Sequence, residues 1–132
     1  MPLALAAAAA AARVTVSGAG SAIVNGAYAR REAAAIPAAF ARVCVGAGWE
    51  PAATWARLNG ARDWFEAPNG SYLYYNSGDA LFWLDSGATG LGLYVSGAAG
   101  AGAAPPSAGW RPIGDGALPL PTVAVEAAGR EL

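Results

Sequence analysis

The chain has 132 residues, enough for one domain that buries about two thirds of the surface its unfolded form exposes. Eight arginines stand against nine acids, scattered from Arg13 to Arg130, so no phosphate-tracking stripe marks a nucleic-acid partner. Histidine, lysine and glutamine are absent and Cys44 is the lone cysteine, which excludes Ser-His-Asp and Cys-His nucleophiles, His-ligated zinc, P-loop lysines, an internal disulfide and a thiolate zinc cage.

Residues 1–12, Met-Pro-Leu-Ala-Leu followed by alanines, are too short an apolar run for the ~20 residues of a membrane span. They lack the basic start of a secretory signal. The lack of any acid before Glu32 and the early Arg13 fit an organelle transit remnant, and an Ala-rich helix or frayed end is the reading preferred over it. Val14-Thr15-Val16 then predicts a strand, residues 17–21 a turn-rich loop, and Ile23 to Tyr28 a strand entered through Asn25-Gly26. Residues 29–45 are mixed: Arg31 to Ala35 favour helix, Pro37 interrupts one, and Phe40 to Val45 look extended. A strand over 39–45 is expected, with the Cys44 thiol buried between Val43 and Val45 as a small hydrophobe. Trp49, Trp55 with Leu58, and Trp64-Phe65 predict further short strands, separated by Gly48, Pro51 and Asn59-Gly60.

Residues 64–95 are the clearest stretch: aromatic strands divided by glycine turns, an antiparallel meander. Alternation puts Tyr72 and Tyr74 on one face and Leu73 and Tyr75 on the other, and sets Leu81 and Trp83 against Phe82 and Leu84. A sheet apolar on both faces must be covered on both or leave an aromatic platform open to a partner. The Gly/Ala loop Ser96 to Ala104 follows. Pro105-Pro106 through Trp110 to Pro121 then predicts an extended strap across the sheet, anchored by Trp110. A polyproline ligand is the less favoured reading of the same segment.

Several motifs carry chemistry only in form. Val14 to Gly20 opens like a dinucleotide fingerprint, but Ile23 stands where the third glycine belongs and Asn25-Gly26 blocks a helix start. Asp63, Glu66, Asp79 and Asp85 lie nearest the aromatic block, and two such acids roughly 5–9.5 Å apart in a cleft could hydrolyse a glycoside. Turn capping is the ordinary use of such acids, and their spacing does not match the roughly 12-residue calcium loop. Asn69-Gly70-Ser71 is formally a glycosylation sequon and reads better as hairpin turn chemistry.

The ordered set Val14-x-Val16-x-Gly18-Ala19-Gly20, Val24-Asn25-Gly26-x-Tyr28, Pro37-x-x-Phe40, Trp64-Phe65, Tyr74-Tyr75-Asn76, Pro105-Pro106-x-x-Gly109-Trp110 and Pro119-x-Pro121 resembles a small β-rich repeat module of multidomain proteins of algae, dinoflagellates and oomycetes. The resemblance covers residues 14–123. It implies an adaptor or accessory domain with no assigned active site, strand rather than helix at 39–45, and a GC-rich alga as source. The chain departs from that pattern in holding one copy and an alanine leader.

The expectation is therefore an all-β protein: a small twisted antiparallel sheet curling into a barrel or sandwich. Residues 1–12 form a leader, 13–125 one β domain and 126–132 a tail. One to three of Trp55, Trp64, Tyr74 and Trp83 are expected to be exposed, and with Trp110 they form the candidate binding set. The expected role is a non-catalytic interaction module or accessory subunit of a protein assembly, such as an algal plastid complex, with no cofactor, metal or nucleic acid. Contact with a membrane complex, or a secreted location, is compatible with it. The alternative is a carbohydrate-binding module, which requires Asn59, Asn69, Asn76 and Asp79 to converge on an exposed ring.

Overall fold

The computed structural model describes residues 11–97 and 104–127; residues 1–10 of the leader, 98–103 of the Gly/Ala loop and 128–132 of the tail lie outside them. Strand β1 (Ala11–Ser17) alternates exposed Arg13 and Thr15 with buried Val14 and Val16. A 3-10 turn (Ala22–Val24) leads into β2 (Gly26–Arg31), which pairs antiparallel with β1 from Arg13↔Ala29 to Val16↔Gly26. The Asn25 side chain accepts from the Ala19 N–H and donates to the Ala19 carbonyl, so the Gly18–Gly20 segment closes on itself. It presents no helix N-terminus to a pyrophosphate, as the missing third glycine implied.

The strands β3 (Trp64–Glu66), β4 (Tyr72–Asn76), β5 (Leu81–Asp85), β6 (Gly92–Ser96) and β7 (Trp110–Pro112) follow, and β8 (Thr122–Ala127) returns to pair with β1. All eight join one antiparallel sheet in the order β7-β6-β5-β4-β3-β2-β1-β8, curled into a half-barrel. The all-β class and the meander are as the sequence predicts. The turns follow the expected chemistry: Asn69 Oδ1 accepts from Ser71 N–H with Gly70 at φ 90°, and Asn76 Oδ1 and Asp79 Oδ1 accept from Gly78 and Leu81.

Between β2 and β3 the structure corrects the sequence reading. Residues 39–45, expected as a strand, belong to helix α1 (Ala38–Ala47), and Trp55 and Leu58, expected in short strands, lie on helix α2 (Pro51–Asn59). Pro37 does not interrupt a helix; it occupies the N-cap of α1, where its missing N–H costs nothing. Glycines in the left-handed region, Gly48 and Gly60, end the two helices. The Glu50 carboxylate caps α2 by accepting from Ala52 and Ala53 at 3.1 and 2.8 Å, and Pro51 fills the first helical position. Glu50→Ala is expected to lower stability by about 1 kcal/mol, read as a shift of the urea midpoint at unchanged slope.

Two cores result. Val14, Val16, Tyr28, Leu73, Tyr75, Phe82, Leu84, Tyr94, Trp110 and Val123 fill the inside of the curl, joining one edge strand to the other. On the opposite face Trp64, Tyr72 and Tyr74 meet Ala39, Phe40 and Cys44 of α1 and Trp55 of α2. The face assignments made for Tyr72 to Tyr75 thus stand, and the second apolar face is covered by the helix pair. The β5–β6 turn also touches α1: a Cβ on Gly90 would lie 2.5 Å from the Ala39 carbonyl oxygen, and Gly90 holds φ 74°.

The proline-rich segment adopts a mixed form. Trp110 is buried in β7 and donates its indole N–H to Pro106, and β7 adds to the sheet as a short edge. Residues 113–121 then cross to β8, tied by Ala117 N–H to Ser21 Oγ, by the Tyr94 hydroxyl to the Ala117 carbonyl, and by Gly20 N–H to the Pro119 carbonyl at 2.9 Å.

Candidate interaction surface

The helix pair decides which aromatic side chains reach solvent. Trp55, Trp64 and Tyr74, expected among the exposed candidates, are only 2%, 1% and 4% exposed. Trp55 is the hub of the covered face, with ring centroids 5.0 Å from Phe40, 5.6 Å from Trp64 and 5.0 Å from Tyr74. Edge-on and tilted packing of this kind suits the ring quadrupoles. The indole N–H groups are satisfied by the segment entering α1: Trp55 donates to Ala33, and Trp64 to Glu32 and Ala35. Arg31 lies over the Trp64 ring at 5.5 Å and pairs with Glu66.

Trp83 is half-buried. Its N–H donates to Asp79 Oδ2 at 2.8 Å, and its ring lies on Gly92, where a Cβ would come within 2.5 Å of it. Trp110 is buried in the inner core. Trp49, expected in a short strand and not among the exposed candidates, lies instead in the connector between α1 and α2, 56% exposed, with Val45 68% exposed on the last turn of α1. Glu50, next to Trp49 in the connector, is exposed and engaged as the cap of α2, and Arg42, exposed on α1, donates to the Gly87 carbonyl at 3.1 Å. Gly48 and Glu50-Pro51 are helix stop and start residues, which mark Trp49 as a connector residue rather than part of a strand.

The polar groups of the carbohydrate reading do not converge on a ring. The Asn59 amide donates to Arg62 and that of Asn69 to Ile23, while Asn76 and Asp79 hold the β4–β5 turn. The acids of the hydrolase reading are likewise separately engaged: Asp63 pairs with Arg30 at 3.2 Å, Glu66 with Arg31, and Asp79 with the Trp83 indole. Two shallow surface grooves, of about 350 and 330 Å³, each contain one acid, Glu66 and Asp115 respectively. Among the described residues no three His, Cys, Asp or Glu side chains gather into a metal-binding group. No described helix is long and apolar enough to cross a membrane.

Asp85 stands apart. It faces the helix pair opposite Tyr72, is 3% exposed, and its Oδ1 has no hydrogen-bond partner. Burial pushes its carboxyl up to about 8, against a smaller opposing effect of the Tyr72 hydroxyl. Burial, reinforced by the nearby Asp85 carboxyl, pushes the Tyr72 and Tyr74 hydroxyls well above the usual phenol range. Burial also raises the Cys44 thiol, which sits 1% exposed on α1 as the inert hydrophobe expected of it. At neutral pH this cluster is a set of uncharged donors and acceptors.

Fold and surface together define a class: a curled eight-stranded antiparallel sheet with a helix pair on one face and a projecting tryptophan at the helix corner. Comparison with family models, curated proteins and solved structures finds no match to this chain.

Proposed function

We propose that this chain is a non-catalytic interaction module, an accessory or structural subunit that docks to another protein through the α1–α2 corner. The observation that carries the reading is Trp49. It is the one tryptophan of the five that is more than half exposed, and Val45 beside the same helix end is more exposed still. Exposed aromatic anchors are among the residue types that dominate interface energetics, and the exposed acid Glu50 adjoins Trp49 in the chain. The partner chemistry that fits is a protein surface with an apolar pocket for an indole and charges at its rim. The resemblance to β-rich repeat modules, similar to adaptor or accessory domains, points the same way, although the strand it implies at 39–45 is a helix here. A subunit role in an organelle assembly of a GC-rich alga, a photosynthetic one included, is the finer form of the proposal.

The test uses tagged full-length chain in native extract of the source cells. The wild type is expected to migrate well above the mass of the purified protein, and the double variant Val45→Ser, Trp49→Ser to fall back to that mass while keeping its urea midpoint. An unchanged migration profile in the double variant overturns the reading.

A further inference from the structure

The sheet has two edges, and they are built differently. At one end β7 is three residues long and closes on Pro112, with Pro105 and Pro106 just upstream, features that blunt an edge against pairing. At the other end β8 runs six residues, Thr122–Ala127, with no proline, no lysine or arginine and one acid, Glu126. Among the described residues only β1 pairs with it, and no described strand takes its outer row of backbone groups.

The side chains of β8 indicate what fits that edge. Val123 and Val125 lie on the inner face, opposite Val16 and Val14 of β1. Val14, Val16 and Val123 are at most 1% exposed, whereas Val125 is 38% exposed on the same face. A neighbouring strand that brings an apolar residue beside Val125 would complete the row. Strand β8 itself meets this requirement. Set antiparallel to a second copy about a two-fold axis through Ala124, Val125 of each copy faces Val123 of the other, and Val14-Val125-Val123-Val16 becomes one apolar row across the junction. On the outer face Ala124 meets Ala124, and Glu126 meets the Thr122 hydroxyl, with Arg13 of its own copy beside it at 3.9 Å. No like charges stand opposite one another, and opposed valine pairs and hydroxyl–carboxylate pairs are favourable cross-strand combinations. Moving the axis to Val125 instead leaves one valine row across the junction, Val14-Val125-Val125-Val14, where the Ala124 axis gives two, and sets Val123 against Ala127 and Ala124 against Glu126.

We infer that β8 is a homodimerisation edge: two copies of this chain pair β8 to β8 antiparallel about Ala124 and join their sheets into one. Closed two-fold pairing of a self-complementary patch is the commonest route to a soluble oligomer. The surface is distinct from the Trp49 corner, so the two can be occupied at once and tested apart.

The purified full chain is measured by sedimentation equilibrium over a wide concentration range. The wild type is expected to approach twice 13.1 kDa. Ala124→Lys, at an exposed position, places two ammonium groups face to face and is expected to give monomer with an unchanged circular dichroism spectrum. Ala124→Cys is expected to yield a disulfide-linked dimer on mild oxidation, with the buried Cys44 as the internal control that stays reduced. Wild type that stays monomeric throughout, a dimer that persists in Ala124→Lys, or Ala124→Cys that does not cross-link each overturns the inference. If Ala124→Lys fails to fold, the cross-link decides.

Discussion

Replacing Asp85 with Asn is expected to raise stability at neutral pH and to remove most of the pH dependence between about pH 4 and 8. The carboxyl titrates at about 8 in the folded chain against a usual value near 3.8, so the native state holds its proton more tightly than the unfolded state does. Between those values the unfolded chain ionises while the folded chain does not. Stability is therefore greatest below the unfolded value and declines as pH rises, by up to about 1.4 kcal/mol per pH unit, until the native carboxyl also ionises. By neutral pH the loss is on the order of 4 kcal/mol, a large part of a typical domain's margin. A neutral amide has no proton to lose. It can also donate to the Tyr72 oxygen as a protonated carboxyl would, leaving the Tyr72 hydroxyl to donate to the Gly90 carbonyl at 3.3 Å. Urea unfolding at a series of pH values checks this: the wild-type curve should slope downward and the variant curve should be nearly flat, meeting it near pH 4. Parallel curves would mean that Asp85 is charged and solvated in the folded state.

The second large effect concerns the hub of the covered face. Trp55→Ala removes an indole packed against Phe40, Trp64 and Tyr74 and leaves the Ala33 carbonyl without its donor. The expected loss is about 3–5 kcal/mol, enough to populate the unfolded chain at moderate temperature. Trp49→Ala, on the exposed corner, should change stability by no more than about 0.5 kcal/mol. Equilibrium unfolding of the two variants side by side reads the contrast directly. Equal destabilisation would contradict the burial pattern, and with it the assignment of Trp49 as the free aromatic.

How far the fold was legible in the chain differs from element to element. Tyr72 to Asn76 and Leu81 to Asp85 alternate strictly between bulky residues of opposite faces, and Asn69-Gly70 marks a turn that few other dipeptides make so readily. The stretch from Ala38 to Ala47 was ambiguous for a physical reason. Phe40, Val43 and Cys44 fit a helical stripe, yet Phe-Ala-Arg-Val-Cys-Val also carries a β-rich composition. Pro37 served as evidence for the wrong element because a proline breaks a helix from inside and starts one from its edge. The two misassigned helices carry over to the site: with nothing to cover the second face, Trp55, Trp64 and Tyr74 become candidates for exposure.

The amino-acid order alone determined the strand alternation, the turns, the burial of Cys44 and the lack of imidazole and amine chemistry, because each depends on residue type and nearest neighbours. Tertiary structure alone decided which aromatics meet solvent, that Asp85 is enclosed without a charged partner, and that β7 and β8 form the two margins of the described sheet. Those properties arise from elements distant in sequence packing across a face or along a sheet margin, and no local pattern encodes what will lie on the other side.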